Sequence, residues 1–443
     1  MPRTEALRER LAANLGPAWL AGQRWFRAKQ RRVLAVEPHD LAPLGNGHDS
    51  WLAVVSVRYA DGGEDRYLVP LVVDAHAARE PRDGEDMWRS LARLMVEGGE
   101  LAGGRGAFVF SPEAAAAALL PSGADELAEL AERRLGVEQS NTSVVLGDRL
   151  ILKLYRCLEP GENPDVEVGS FLTHAGFAHT PPVAGSASYL ADDRASCAAA
   201  MLQAFLASHG DGWAWLLEQL DEADGSPQLA DGLSAIGVVT AEMHAALASR
   251  PDDPAFPARA ATTFERAAWR AGAEEQLSDA LEMVGQRERG RLERLAPEIR
   301  RRFGALEDAG EARTSRVHGD YHLGQLLRTD DGFAVIDFEG EPARPLDERR
   351  RPSSPLRDVA GMLRSLDYAA RTHAARSEAF DADGWLRRAR GEFLSGYGGV
   401  AAADEALLTA FEIEKACYEV RYEAGNRPDW TWLPLAALER LAA

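Results

Sequence analysis

The stretch Val317-His318-Gly319-Asp320-Tyr321-His322-Leu323-Gly324-Gln325, followed by Val335-Ile336-Asp337-Phe338-Glu339, decides how this chain is read. Between the two runs, residues 325–328, a Thr-Asp-Asp-Gly turn and residues 333–337 form the pattern of a hairpin. Asp320 stands five positions before Gln325, and Asp337 ends an apolar strand twelve positions after it. A hairpin doubles back, so Gln325 and Asp337 come to the same end of the small sheet. One carboxylate can orient an attacking hydroxyl and take its proton. A second carboxylate and an amide oxygen can hold Mg²⁺ against phosphates. Those are the parts that phosphoryl transfer requires. Taken singly, His318, Asp320 and His322 would serve as a polar turn capping the hairpin; the ordered set at this spacing points to catalysis.

Upstream, residues 142–146 and 149–155 are apolar strands joined by Gly147-Asp148, a two-residue hairpin turn. Lys153 stands among Leu150, Ile151, Leu152 and Leu154. That setting places it in a half-buried cleft, where an ammonium reaches nucleotide phosphates. The alternative is a surface lysine on an edge strand. Its expected carboxylate partner is Glu167, on a helix that Asp165 caps and that carries Val166, Val168, Phe171 and Leu172. The polar run Glu138-Gln139-Ser140-Asn141-Thr142-Ser143 precedes the first strand. Ser140, Thr142 and Ser143 are candidate phosphate contacts there, a plain polar loop being the other reading.

Further out, residues 51–59 (WLAVVSVRY) and 65–73 (DRYLVPLVV) pair as a hairpin across ADGGE. The opening MPRTEALRERLAANLG is an amphipathic helix, and residues 85–135 read as helical with a glycine-rich break at 98–106. Residues 198–206, beyond 186–189, are a further apolar run. From Trp213 the chain is helical apart from the hairpin at 325–337. Strands and helices are segregated, which makes the fold class α+β. At about 100–200 residues per domain the length allows two to four domains. The expected divisions are 1–90, 91–206 and 207–443.

Hydrophobic residues at 46% and charged residues at 27% describe a folded chain rather than a disordered one. With 50 Lys and Arg against 70 Asp and Glu, the net charge is −20. Nucleic acid and anionic membranes need a basic face, so no nucleic acid and no membrane is expected as partner. Cys157, Cys197 and Cys417 offer neither zinc spacing nor a disulfide framework. No apolar h-region opens the sequence and no apolar run is long enough for a bilayer, so the expected location is cytoplasmic.

Four segments closely resemble the actinobacterial maltokinases: EQSNTSVVLGDRLILKLY (138–155), HGDYHLGQ (318–325), IDFEGEPARPLDERRRPSSPLRDVAGMLRSLDYAA (336–370) and YEVRYEAGNRPDW (418–430). QRWFRAK (23–29) is similar to their N-terminal segment, although maltokinases often carry Ala-Gly where Arg27-Ala28 stands. The resemblance implies a bilobal eukaryotic-protein-kinase-like fold with an N-terminal cap subdomain and a mainly helical C-lobe. It implies ATP and Mg²⁺ as cofactors, and maltose as the substrate phosphorylated on its anomeric hydroxyl. It also implies trehalose synthase as a partner, since maltose 1-phosphate feeds α-glucan (glycogen) synthesis downstream of it. By position, Asp320 would be the catalytic base. Gln325 and Asp337 would be magnesium ligands with Glu339 as a further metal neighbour. Lys153 would bind nucleotide phosphate, and Asp358 would brace the catalytic loop from a helix start. Residues 201–205, including Gln203 and Phe205, would contact adenine through backbone groups.

For the acceptor, His322 is a candidate together with Lys415, Tyr418 and Tyr422. The last three fall at i, i+3 and i+7 on a helix expected over 405–424. The other reading of that stripe is core packing with a lysine that snorkels to water. Trp430 and Trp432 would shape the same pocket or lock the C-terminus. Glu414 and Arg421 read as surface residues and His244 as a core histidine. An amine-bearing acceptor, as in a glucosamine or aminoglycoside kinase of the same fold, would want carboxylates such as Glu412 or Glu419. A non-catalytic partner of trehalose synthase would have no use for Lys153, Asp320, Gln325 and Asp337 together.

Overall fold

The computed structural model describes residues 2–443 apart from 46–48, 75–77, 137–139, 193–194, 223–226 and 378. Glu138 and Gln139 of the polar run therefore lie outside the described residues. The chain divides into two compact units, residues 1–174 with 181–207, and residues 175–180 with 208–443.

The first unit opens with α1 (Pro2–Asn14) and α2 (Pro17–Ala21). An antiparallel sheet follows in the order β1 (Val33–Pro43), β2 (Ser50–Tyr59), β3 (Glu64–Val73), β4 (Ala78–Arg79). β2 is apolar on both faces because both faces are covered. Trp51, Ala53, Val55 and Val57 join one core with Trp25, Phe26 and Tyr67. Leu52 and Val54 join a second core, which also contains residues of the next sheet.

After α3 (Met87–Glu97) the chain enters that second sheet, built from β5 (Gly99–Ala102), β6 (Gly106–Pro112), β7 (Glu132–Arg134), β8 (Asn141–Leu146), β9 (Leu150–Tyr155), β10 (Val183–Ala191) and β11 (Ser196–Ala204). Its strand order is β5-β6-β10-β11-β9-β8-β7. The helical reading of 85–135 is thus corrected. Only α3, the four-residue α4 (Ala116–Leu119) and a 3₁₀ turn at Ala124–Glu129 are helical there. Phe108 and Phe110 alternate into the core, which is a strand period, and a Cβ at Gly106 would meet the Leu190 carbonyl at 2.5 Å.

The Gly147-Asp148 turn forms as read, both residues having positive φ (56° and 50°), the geometry of a type I′ hairpin. On β9, Leu150, Leu152 and Leu154 enter the large core, so Lys153 emerges on the other face with Tyr155. α5 (Pro164–Ala175) starts one residue before Asp165. Its cap is Asn163, whose side chain accepts from Asp165 N–H at 2.8 Å, so Asp165 stands inside the first turn.

In the second unit, α6 (Gly212–Glu222), α7 (Pro227–Leu247), α8 (Thr263–Met283) and α9 (Gln286–Asp308) come first, with the short β12 (Arg259–Ala260) and β13 (Arg313–Thr314) pairing around α8 and α9. A loop then leads to the hairpin β14 (Leu326–Thr329) and β15 (Gly332–Val335). After α10 (Leu346–Arg349) come α11 (Leu356–Ala374), α12 (Ala382–Tyr397), α13 (Glu405–Asn426) and α14 (Trp432–Leu441). α11 is buried along most of its circumference, polar Asp358, Arg364 and Asp367 included. Among the described residues no helix is long and apolar enough to cross a membrane.

Candidate active site

The loop from His318 to Gln325 is held in shape by α11. Asp358 is 1% exposed, and its two oxygens accept from His318 N–H (2.8 Å) and Gly319 N–H (2.9 Å). Burial opposes that charge. His244, 2.9 Å away, then His318 and the Gly319 N–H, outweigh it and hold the Asp358 carboxyl below the ordinary range. His244 is buried as expected, and in addition it links Asp358 to the Tyr397 hydroxyl at 3.0 Å. The His318 ring ties the loop to the second carboxylate: Nε2 donates to Ile336 O at 3.0 Å, and Nδ1 accepts from Asp320 N–H at 3.4 Å. Ser365 Oγ accepts from Leu323 N–H at 3.1 Å. Gly361 lets the helix lie directly on the loop, because a Cβ there would sit 2.5 Å from the Tyr321 carbonyl.

Asp320, so positioned, faces α13. Lys415 Nζ lies 2.9 Å from Asp320 Oδ1 and 2.8 Å from Glu341 Oε1. Burial alone would lower the Lys415 pKa, but the two carboxylates hold it charged, above the usual lysine range. Burial also works against Glu341, which Lys415 and Arg344 nevertheless carry down to about 2. Arg344 and Arg357 both donate to Glu414 Oε1, at 3.4 and 2.8 Å. Tyr418 lies under the Lys415 ammonium (4.5 Å to the ring centroid) and stacks on Tyr422 at 6.2 Å and 23°. Asp320, Glu341, Arg344, Arg357, Lys415 and Tyr418 line one pocket.

Several expectations about this region change. Glu414 is not a surface residue: it is 2% exposed and fixed by two arginines. Arg421 pairs with Asp279 at 2.8 Å and lies 5.2 Å from the Tyr418 ring, so it is a wall of the stripe. Glu412 and Glu419 do not line the pocket. Their carboxylates are buried against Arg390 (2.8 Å) and Arg364 (2.7 Å) respectively. Trp430 does not line it either; Arg427 lies over both Trp430 and Tyr422. Trp432 is 45% exposed.

At the far end of the hairpin, Gln325 Nε2 lies 3.4 Å from Asp337 Oδ2. Asp337 has φ +66°, a conformation costly for a residue with a side chain and found where surrounding structure imposes it. Carboxylate oxygens of Asp337 and Glu339 lie within 4.8 Å of one another. Turning the Gln325 amide about its last torsion presents its oxygen on the same side. Hard oxygen donors of this kind fit Mg²⁺, which takes one or two carboxylates and completes its shell with water and phosphate. His322 Nδ1 accepts from Gly324 N–H at 3.0 Å, which leaves Nε2 as the ring's donor, and burial lowers the ring's pKa.

In the first unit, Lys153 Nζ meets Asp165 Oδ2 at 2.8 Å, and the Tyr155 hydroxyl donates to the same oxygen at 2.9 Å. Asp165, inside the first turn of α5, is thus a carboxylate partner of Lys153. Ser143 is buried in β8 directly opposite Lys153, and Thr142 Oγ1 accepts from Arg156 at 2.8 Å. Ser140 is exposed. The stretch 201–203 sits between β10 and β9 in register, Gln203 opposite Val183 and Ile151. Ala204 N–H donates to Pro182 O and Phe205 N–H to Arg149 O. The Phe205 N–H is thus engaged within the first unit.

Residues 130–393 match the phosphotransferase enzyme family. The chain belongs to that family. Residues 19–88 match the maltokinase N-terminal cap domain. A protein named glucosamine kinase from Streptacidiphilus jiangxiensis is 32% identical over 420 residues, covering 90% of each chain. Another of that name, from Mycolicibacterium smegmatis, is 31% identical over 327 residues, covering 70% of this chain and 79% of its own. A solved glucosamine kinase in complex with glucosamine, ADP and inorganic phosphate superposes with TM-score 0.73 at 28% identity over 98% of both chains. The fold is thus the protein-kinase-like one of the phosphotransferases, α+β with an N-terminal cap domain and a helical C-terminal region. In this phosphotransferase the residues that sequence reasoning misses include Glu341 and Gln276 of the pocket, and Ser365, Gly361, Arg344 and Arg357, which shape the loop or hold its neighbours. The only sequence signal of the last four is a place on the face of a helix, or in a turn, shared with a motif residue.

Proposed function

We propose that this phosphotransferase is an ATP-dependent kinase that transfers the γ-phosphate to the anomeric hydroxyl of maltose, giving maltose 1-phosphate and ADP. The observation that carries the reading is the placement of Asp320 and Lys415 in one pocket with the Tyr418–Tyr422 stack leading out of it. A stacked pair of rings suits the apolar faces of two linked sugars, and the charged groups suit their hydroxyls. The match to a maltokinase cap domain supports the same reading. Asp320 orients the hydroxyl and takes its proton as the O–P bond forms and the bond from the γ-phosphorus to the bridging oxygen of ADP breaks. Lys153 steadies the nucleotide phosphates. Asp337, Glu339 and Gln325 would hold Mg²⁺, which when bound neutralises charge on the phosphates.

A second reading takes glucosamine as acceptor, and the names of the two relatives favour it. Against it, Glu412 and Glu419 point elsewhere, and Glu341 is engaged by Lys415. The deciding experiment offers maltose, glucose, glucosamine and kanamycin with ATP and magnesium, and follows ADP release and the phosphorylated product. Highest kcat/KM on maltose is expected. Highest kcat/KM on glucosamine would move the function to the second reading, and transfer to none would end the sugar-kinase reading.

A further inference from the structure

The pocket beside Asp320 has a wall that none of the motifs supplies. Gln276, on α8, lines it and is only 8% exposed. Among the described residues, its amide oxygen Oε1 meets no hydrogen-bond donor. Glu414 Oε2, in the same pocket, also has none, although Oε1 of that carboxylate is held by two arginines. A buried polar oxygen left without a donor destabilises a fold, and an apolar side chain of the same size carries no such cost. α8 otherwise buries Trp269, Ala273, Leu277 and Ala280 on this side, so a methionine at 276 would continue its apolar stripe. Gln276 breaks the pattern at the point where the helix reaches the reactive carboxylate. Local rules broken at a site are the mark of function rather than of stability.

Both orphaned atoms are acceptors. Their complement is a ligand that brings donors into a confined space next to Asp320. Lys415, Arg344 and Arg357 already answer the carboxylates around them, Asp320, Glu341 and Glu414 Oε1, so an additional cation is not called for. Neutral hydroxyl groups are. We propose that Gln276 is a specificity-determining residue of the acceptor site. Its amide oxygen, with Glu414 Oε2, accepts hydrogen bonds from hydroxyls of the sugar ring that receives the phosphate. The assignment rests on the reading of the acceptor as a sugar.

The test is Gln276→Met, with Gln276→Ala as a second variant in case the first fails to fold. Melting temperature, KM for the best sugar of the four-acceptor panel and KM for ATP are measured for each. An orphaned amide that serves the ligand predicts a split: Tm of Gln276→Met at or above wild type, sugar KM raised about tenfold, and ATP KM unchanged. The Gln276→Ala variant should show the same sugar-specific rise. Unchanged sugar KM in either folded variant overturns the proposal. A lowered Tm with both KM values moved together assigns Gln276 to structure and also overturns it. If the wild-type protein phosphorylates no sugar in the panel, the functional reading falls first and this assignment falls with it.

Discussion

The proposed base role requires a carboxylate that is aimed before substrate arrives, and Lys415 holds Asp320 in place at 2.9 Å. One ammonium serves two carboxylates, Asp320 and Glu341, and Arg344 answers the second of them. Asp320→Asn keeps the size and removes the charge. Its kcat should fall by at least about a hundredfold, with ATP KM and melting temperature close to wild type. Near-normal turnover by the folded variant would exclude the base role. Glu341 gives an independent handle through pH. Its pKa, about 2, lies below the value of 4.5 it has in an unfolded chain. A depressed carboxylate contributes stability that is complete above the unfolded pKa and is lost as pH falls toward the folded one. The shift corresponds to about 3 kcal/mol. Glu341→Gln should therefore melt below wild type at pH 7, and the gap should shrink by about half by pH 3. A gap that stays constant over that range would mean that Glu341 is not the group whose ionisation Lys415 and Arg344 favour.

At the scale of elements, α11 is the part that turns a flexible loop into a site. Asp358, Gly361 and Ser365 fall at i, i+3 and i+7, one face of the helix, and each meets a different point of the loop. Gly361→Ala would place a methyl 2.5 Å from the Tyr321 carbonyl, so loop or helix must move. The expected result is a loss of about 1–3 kcal/mol in stability, with kcat reduced tenfold or more and ATP KM unchanged. Retention of full kcat would show that the clamp is not needed for Asp320. The same comparison explains what the sequence discloses. The β8–β9 and β14–β15 hairpins are legible because their turns are local: Gly147-Asp148 dictates its own geometry, and Asp320, Gln325 and Asp337 share one short stretch. β5 and β6 are illegible because β6 is secured by β10, some eighty residues later, and an Ala-rich sequence beside it imitates a helix. Glu414 reads as a surface residue in the sequence because its burial depends on Arg344 and Arg357, which arrive from other elements. Its spacing of three from both Phe411 and Cys417, each buried, is the signal that places it on the inner stripe.

At the scale of the whole molecule, the question is whether the first ninety residues are a detachable attachment. Leu44, Leu52, Val54, Leu68, Met87 and Trp88 lie in the same buried cluster as Phe108, Leu152 and Leu202 of the seven-stranded sheet. Arg156, 1% exposed at the end of β9, crosses to the first sheet. It donates to Leu68 O at 3.3 Å and Glu80 Oε2 at 3.1 Å, with its guanidinium 4.9 Å from the Trp25 ring. Burial of those six side chains is worth on the order of 10 kcal/mol, comparable to the entire stability margin of a typical protein, about 5–15 kcal/mol. Removing the segment also strips Arg156 of its counter-charge, and a buried cation without a partner is strongly destabilising. A chain beginning at residue 91 should therefore be insoluble, or soluble without a cooperative melting transition, and inactive as a phosphotransferase. Circular dichroism during heating, with an ADP-release assay on the same sample, decides it. A soluble 91–443 fragment that melts sharply and transfers phosphate would mean that the shared core adds little, and that β9 and its Lys153 are held in place by the seven-stranded sheet alone.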